Sequence, residues 1–145
     1  MSVKLIDNLT LDIYIKKELL NNINFNNKDN LEEYLKKLFK TLKDKYSIIV
    51  EGSYDITIYV DKYYGIILHL EKDDLDYYDY FKNQVDMRIV IVHTDFMYHV
   101  EDIPTSLVNK VKVYIKNNCI YLKIKKQLTD LEMMRLLENS EVSYE

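Results

Sequence analysis

Cysteine is almost missing from this chain. Cys119 is the only one in 145 residues, so no disulfide can form within the chain and no multi-thiolate metal site can be built from it. A lone cysteine is a candidate nucleophile, and its plainer role is that of a small buried apolar side chain. There are two glycines, one proline and no tryptophan. Such a glycine count excludes the glycine-rich loops that cradle phosphates. No apolar run approaches the roughly 18 residues that cross a bilayer. The first residues, Met1 to Leu9, include Lys4 and Asp7 and lack the apolar stretch of a secretory signal. A cytoplasmic protein is expected. The chain also contains no Gly-X-Ser-X-Gly elbow and no His-Glu-X-X-His helix.

What remains is 48% apolar with a mean hydropathy of −0.29, the balance of one globular domain over residues 1–145. Fourteen tyrosines stand out. Lys, Asn, Ile and Tyr all have AT-rich codons, so base composition is a sufficient source of that count, and abundance alone is not read as function. Charge is unevenly spread. Residues 1–70 are neutral, residues 71–105 carry a net −6 and residues 106–145 a net +2, giving −4 overall. Residues 106–126 hold six lysines and no acid. This asymmetry is the strongest functional signal in the chain.

Leu31, Tyr34, Leu35, Leu38, Phe39, Leu42 and Tyr46 recur with a period near 3.6. They predict an amphipathic helix over about residues 30–46, with Asp29 or Asn30 as N-cap. Glu32 and Glu33 in the first turn, and Lys43 and Lys45 in the last, suit the helix dipole. Period-two alternation predicts strands over Leu9–Lys16, where Leu11–Asn22 also keeps helical spacing as a competing reading, and over Tyr54–Val60; Ile66–Glu71 and Phe96–Glu101 read as return strands after turns, and Lys110–Lys116 and Cys119–Lys125 as strands flanking Asn117-Asn118. Ser47–Glu51 reads as a short apolar strand. Met87–Val92 is apolar on both faces and reads as a central strand. Asn117-Asn118 predicts a two-residue hairpin turn. Thr129 and Glu132 form a capping-box pattern for a C-terminal helix over Thr129–Glu138, and residues 139–145 are expected to fray. Turns are frequent and long helical crossovers are missing. The expected class is therefore α+β, a largely antiparallel sheet of about six or seven strands with the 30–46 helix on one face and a C-terminal helix.

Four constellations could carry function. Glu71, Asp73, Asp74, Asp76 and Asp79 are interleaved with Tyr77, Tyr78, Tyr80 and Phe81. Tyrosine gives large contact area with few rotors, and the carboxylates would steer a basic protein partner. The competing reading is a solvated loop over buried rings. An EF-hand calcium loop is excluded, because its glycine and glutamate are absent at the right offsets. The second constellation is the hairpin, whose one face shows Lys110, Lys112, Tyr114, Lys116, Tyr121, Lys123 and Lys125. These side chains could contact phosphates and stack bases, or lysines could simply guard a sheet edge. The outer face of the main helix, with Lys36, Lys37, Lys40 and Lys43, could extend such a patch. Finally, His93 and His99 lie six apart around an expected turn, and with Asp95 or His69 could hold a metal ion.

The sequence on its own favours a small protein-interaction module. It would be a regulator or inhibitor that binds a basic partner through residues 71–81, for instance a phage- or mobile-element-encoded inhibitor of a nucleic-acid enzyme. A nucleic-acid-binding module using the 110–125 hairpin ranks second, and a metal-assisted hydrolase using the histidines third. No cofactor is expected, and a homodimer would let the basic hairpin answer the acidic stretch.

Overall fold

The computed structural model describes residues 1–20, 23–73 and 85–144. Its principal helix, α1, spans Lys28–Tyr46 and starts earlier than the apolar stripe indicates. The reason lies in the asparagines before it. Asn27 is the N-cap, and its side chain accepts from the Asn30 N–H at 3.1 Å. The Asn30 side chain in turn accepts from the Asn24 N–H at 3.2 Å. The asparagine run is thus the cap itself. At the other end Ser47 adopts φ 56°, and its N–H and that of Ile48 both return to the Leu42 carbonyl. That left-handed stop explains a first correction: Ser47–Glu51 forms no strand.

Nine strands are described: β1 (Ser2–Leu5), β2 (Thr10–Lys16), β3 (Gly52–Asp61), β4 (Gly65–Lys72), β5 (Val85–His93), β6 (Met97–Val100), β7 (Val111–Lys116), β8 (Cys119–Ile124) and β9 (Ser140–Ser143). With the C-terminal helix α2 (Asp130–Glu138) they bear out the α+β class. The strands divide between a five-stranded sheet, ordered β1-β2-β4-β3-β5, and a four-stranded sheet, ordered β7-β8-β6-β9. Pairing is antiparallel except for β3 and β5. That exception follows from where the chain is. β4 ends beside the start of β3, with Lys72 opposite Tyr54, and β5 begins there too, with Val85 opposite Gly52. Stepping across one strand at that end makes β5 run with β3.

Two expectations are corrected here. Met87–Val92 lies in an edge strand of the first sheet, not a central one; its mixed apolar sides reflect one face turned to the core and a second face on which Val90 is exposed. Residues 140–143 do not fray. They pair with β6, Tyr98 opposite Val142 and Val100 opposite Ser140.

Alternation along the first sheet makes two cores. Leu11, Ile13 and Ile15 of β2, Ile66, Leu68 and Leu70 of β4, and Ile56 and Ile58 of β3 face Leu31, Leu35, Leu38, Phe39 and Leu42 of α1. Ile67 points the other way, into a second core with Tyr98, Val100, Leu122, Ile124 and Leu136 from the second sheet and α2. Gly65 has to be glycine. Its φ is +130°, and a Cβ there would lie 2.4 Å from the Ile15 carbonyl oxygen. Next to it, the buried Asp61 carboxylate accepts from the N–H groups of Tyr63, Tyr64 and Phe96 at 2.7–2.9 Å. It ties the β3–β4 turn to the strand entering the second sheet.

Tyr98 is 1% exposed, and no described group bonds its hydroxyl. Burial drives this phenol well above its ordinary pKa, with the Asp61 charge adding to it. An unsatisfied buried polar group costs about 1–3 kcal/mol. Tyr98→Phe is therefore expected to hold or raise the urea midpoint, and a loss above about 1 kcal/mol would show that the hydroxyl is bonded. Leu35, on the inner face of α1, is fully buried, and Leu35→Ala is expected to cost about 2–5 kcal/mol in the same assay.

Candidate functional site

The β7–β8 hairpin forms where the two asparagines predict it. Asn117 and Asn118 both have positive φ, 53° and 62°, the geometry of a type I′ turn that matches strand twist. This turn fixes the register: Lys112 opposite Lys123, Tyr114 opposite Tyr121, Lys116 opposite Cys119. Side chains directly opposite share a face, so the expected lysine and tyrosine face is real. The apolar face behind it is only partly covered. Val111, Leu122 and Ile124 are buried, whereas Ile115, near the turn, is 76% exposed.

The Tyr114–Tyr121 row continues into β6, where His99 lies opposite Tyr121, and then into β9, where Glu141 lies opposite His99. The Tyr121 and His99 rings are 5.1 Å apart and tilted by 30°. The Lys112 and Lys123 ammonium groups sit over the Tyr114 ring, 5.2 and 5.3 Å from its centre. Lys125 follows β8, its N–H bonded to the Lys110 carbonyl. Lys110 is the one lysine of this group that pairs with a described acid. Its Nζ lies 2.7 Å from Glu132, which also accepts from Thr129 in the predicted capping box. The Lys110 bond, helped by the Thr129 N–H, holds the Glu132 carboxyl down at about 2. Lys112, Lys116, Lys123 and Lys125 make no ion pair with any described residue.

The acidic set is only partly visible. Glu71 and Asp73 are described; Asp74, Asp76, Tyr77, Tyr78, Asp79, Tyr80 and Phe81 lie outside the described residues. Asp73 takes an ion pair from Arg88 at 3.6 Å, and Arg88 also reaches Asp55 at 2.5 Å and Ser53 at 3.1 Å. Glu71 bonds His69 Nε2 at 2.9 Å, while His69 Nδ1 bonds the buried Asp12 at 2.5 Å. Tyr144 lies near the same ring, its hydroxyl 3.3 Å from Nδ1, and stacks on Tyr59 with centroids 3.9 Å apart.

The histidine reading needs correcting. His93 ends β5 in the first sheet and His99 lies in β6 of the second. The hairpin that would have set them face to face does not form, because β6 pairs with β8 and β9. Among the described residues no three His, Cys, Asp or Glu side chains converge on a point that could hold a metal ion. The cluster that does form, Asp12–His69–Glu71, was not singled out from sequence. Alternation places Asp12 and His69 on polar strand faces, but only the β2–β4 register puts them opposite each other. Both His69 nitrogens are engaged by carboxylates, so neither offers a free lone pair to a substrate.

The chain matches no protein-family model, no curated protein and no solved structure. No helix among the described residues is long and apolar enough to cross a membrane.

Burial opposes the charge on His69, but the hydrogen bonds and charges of Glu71 and Asp12 outweigh it and raise the pKa above 6.5. A raised folded-state pKa adds stability that is full below the ordinary value and lost as pH rises through the raised one. His69→Gln is therefore expected to lower the urea midpoint more at about pH 5.5 than at about pH 9. Equal losses at both would mean that the ring is not held as an imidazolium.

Proposed function

We propose that the chain is a binding protein whose contact surface is the outer face of the second sheet, and that it takes a polyanion there, single-stranded nucleic acid. One observation carries this reading: Lys123 stands on β8, between β7 and β6. Lysines that only guard an edge belong on the edge strand. A lysine on an interior strand, directly opposite Lys112, puts like charges side by side and costs the sheet stability. A bound phosphate between them would turn that repulsion into attraction. The neighbouring Tyr114, Tyr121 and His99 row supports the reading, because it offers rings for stacking without base-specific readout. The net charge of −4 opposes tight binding, and affinity falls with salt through the counterions that the lysine–phosphate contacts release.

A second reading keeps the acidic, tyrosine-rich stretch as a surface for a basic protein, with the chain as regulator or inhibitor. It is favoured by the net −6 of residues 71–105 and by the exposure of Glu71.

Fluorescence anisotropy with a labelled single-stranded oligonucleotide separates the two. Four phosphate contacts predict a slope of log K against log salt of roughly −3 for a single strand. Replacing Lys112, Lys116, Lys123 and Lys125 by Gln is expected to bring that slope to about −1 or shallower, while replacing Asp73, Asp74, Asp76 and Asp79 by Asn leaves it unchanged. An unaltered slope in the lysine variant, or no binding by wild type at low salt, would overturn the hairpin reading. Capture of a basic protein that is lost in the aspartate variant would establish the second.

A further inference from the structure

A cleft of about 520 Å³ opens where the outer face of the second sheet meets the β1–β2 edge of the first. Its volume is in the range of small-molecule sites. Three kinds of chemistry converge on it. Lys4 of β1 and Lys116 of β7 bring two ammonium groups from different sheets. Lys116 has no described ion-pair partner. Lys4 reaches Glu141 at 3.7 Å with both side chains largely in solvent, a contact worth little and readily exchanged for a phosphate. Tyr121 and His99 supply an aromatic wall. Asp12 supplies a buried carboxylate, 4% exposed and held in place through one oxygen by His69. Such a fixed acceptor suits a hydroxyl or amino donor. Anion, ring and hydrogen-bond donor together are the chemistry of a nucleoside phosphate; a sulfated or phosphorylated chain without rings would leave the aromatic wall unused.

We propose that this cleft holds one nucleotide of a bound single strand, with its phosphate between Lys4 and Lys116 and its base against Tyr121 and His99. The inference rests on the polyanion reading of the hairpin face and extends it in one respect: Lys4 is not on the hairpin, yet it belongs to the site.

The test is a titration of the full chain with AMP, adenosine and inorganic phosphate, followed by amide shifts in ¹H–¹⁵N spectra, for wild type, Lys4→Gln and Tyr121→Leu. AMP is expected to shift cleft amides and to bind about tenfold or more tighter than either adenosine or phosphate alone. Lys4→Gln, at an exposed position, is expected to weaken AMP about five- to tenfold while reducing the oligonucleotide salt slope by only about 0.7. Tyr121→Leu should weaken AMP and adenosine but not phosphate. If the oligonucleotide binds with a lysine-dependent slope while AMP moves no cleft amide, the cleft assignment is overturned and the hairpin reading stands. Phosphate binding as tight as AMP would also overturn it, leaving an anion subsite only. If neither oligonucleotide nor AMP binds, both readings fall.

Discussion

The constraint on which this structure depends is the burial of β4 on both faces. Ile66, Leu68 and Leu70 fill the core under α1, while Ile67 fills the core under the second sheet. Burying a branched aliphatic side chain contributes about 1.5–3 kcal/mol, so a few consecutive residues hold both layers to one strand. The strand's start is equally constrained. Gly65 leaves room for the β2 backbone, and Asp61, just before it, gathers three N–H groups from both sides of the join. A slip of one residue in β4 would exchange its faces and put His69 under the helix.

From that join the second sheet is carried outward. Phe96, Tyr98 and Val100 anchor β6 in the second core, and Leu136 anchors α2 beside it. β7 and β8 are attached through Val111, Leu122 and Ile124, so their apolar sides turn inward and their lysine and tyrosine sides outward. The same alternation that makes the core thus makes the charged face. One contact stabilises the base of the hairpin without using that face: Lys110 turns to Glu132 of α2. The remaining lysines make no ion pair with a described residue.

How much of this was legible depends on the distance along the chain between partners. α1, the Asn117-Asn118 turn and the Thr129–Glu132 cap are made by residues within a few positions of one another, and each could be read. The lysine face followed, because a tight hairpin fixes its register locally. β1 and β9, four residues each, exist through pairing with distant strands and carry too short a pattern to stand out. The edge position of β5 and the division into two sheets are likewise set by long-range pairing. Of the proposed site, Lys112, Tyr114, Lys116, Tyr121, Lys123 and Lys125 lie on a face that the sequence shows. Lys4 and Asp12 do not, since they reach the cleft only through the meeting of two sheets. The place of His99 in the Tyr114–Tyr121 row has no local signal, because its pairing with Tyr121 depends on a β6–β8 contact over twenty residues away.

The most direct measurement is to map where a short single-stranded oligonucleotide touches the full chain, by amide shift changes at low salt. Shifts gathered on β7, β8 and the His99 side of β6, fading as salt is raised, are the expected result. Shifts gathered on residues 71–84 instead, or none on the hairpin at any salt, would contradict the assignment of the outer face of the second sheet as the binding surface.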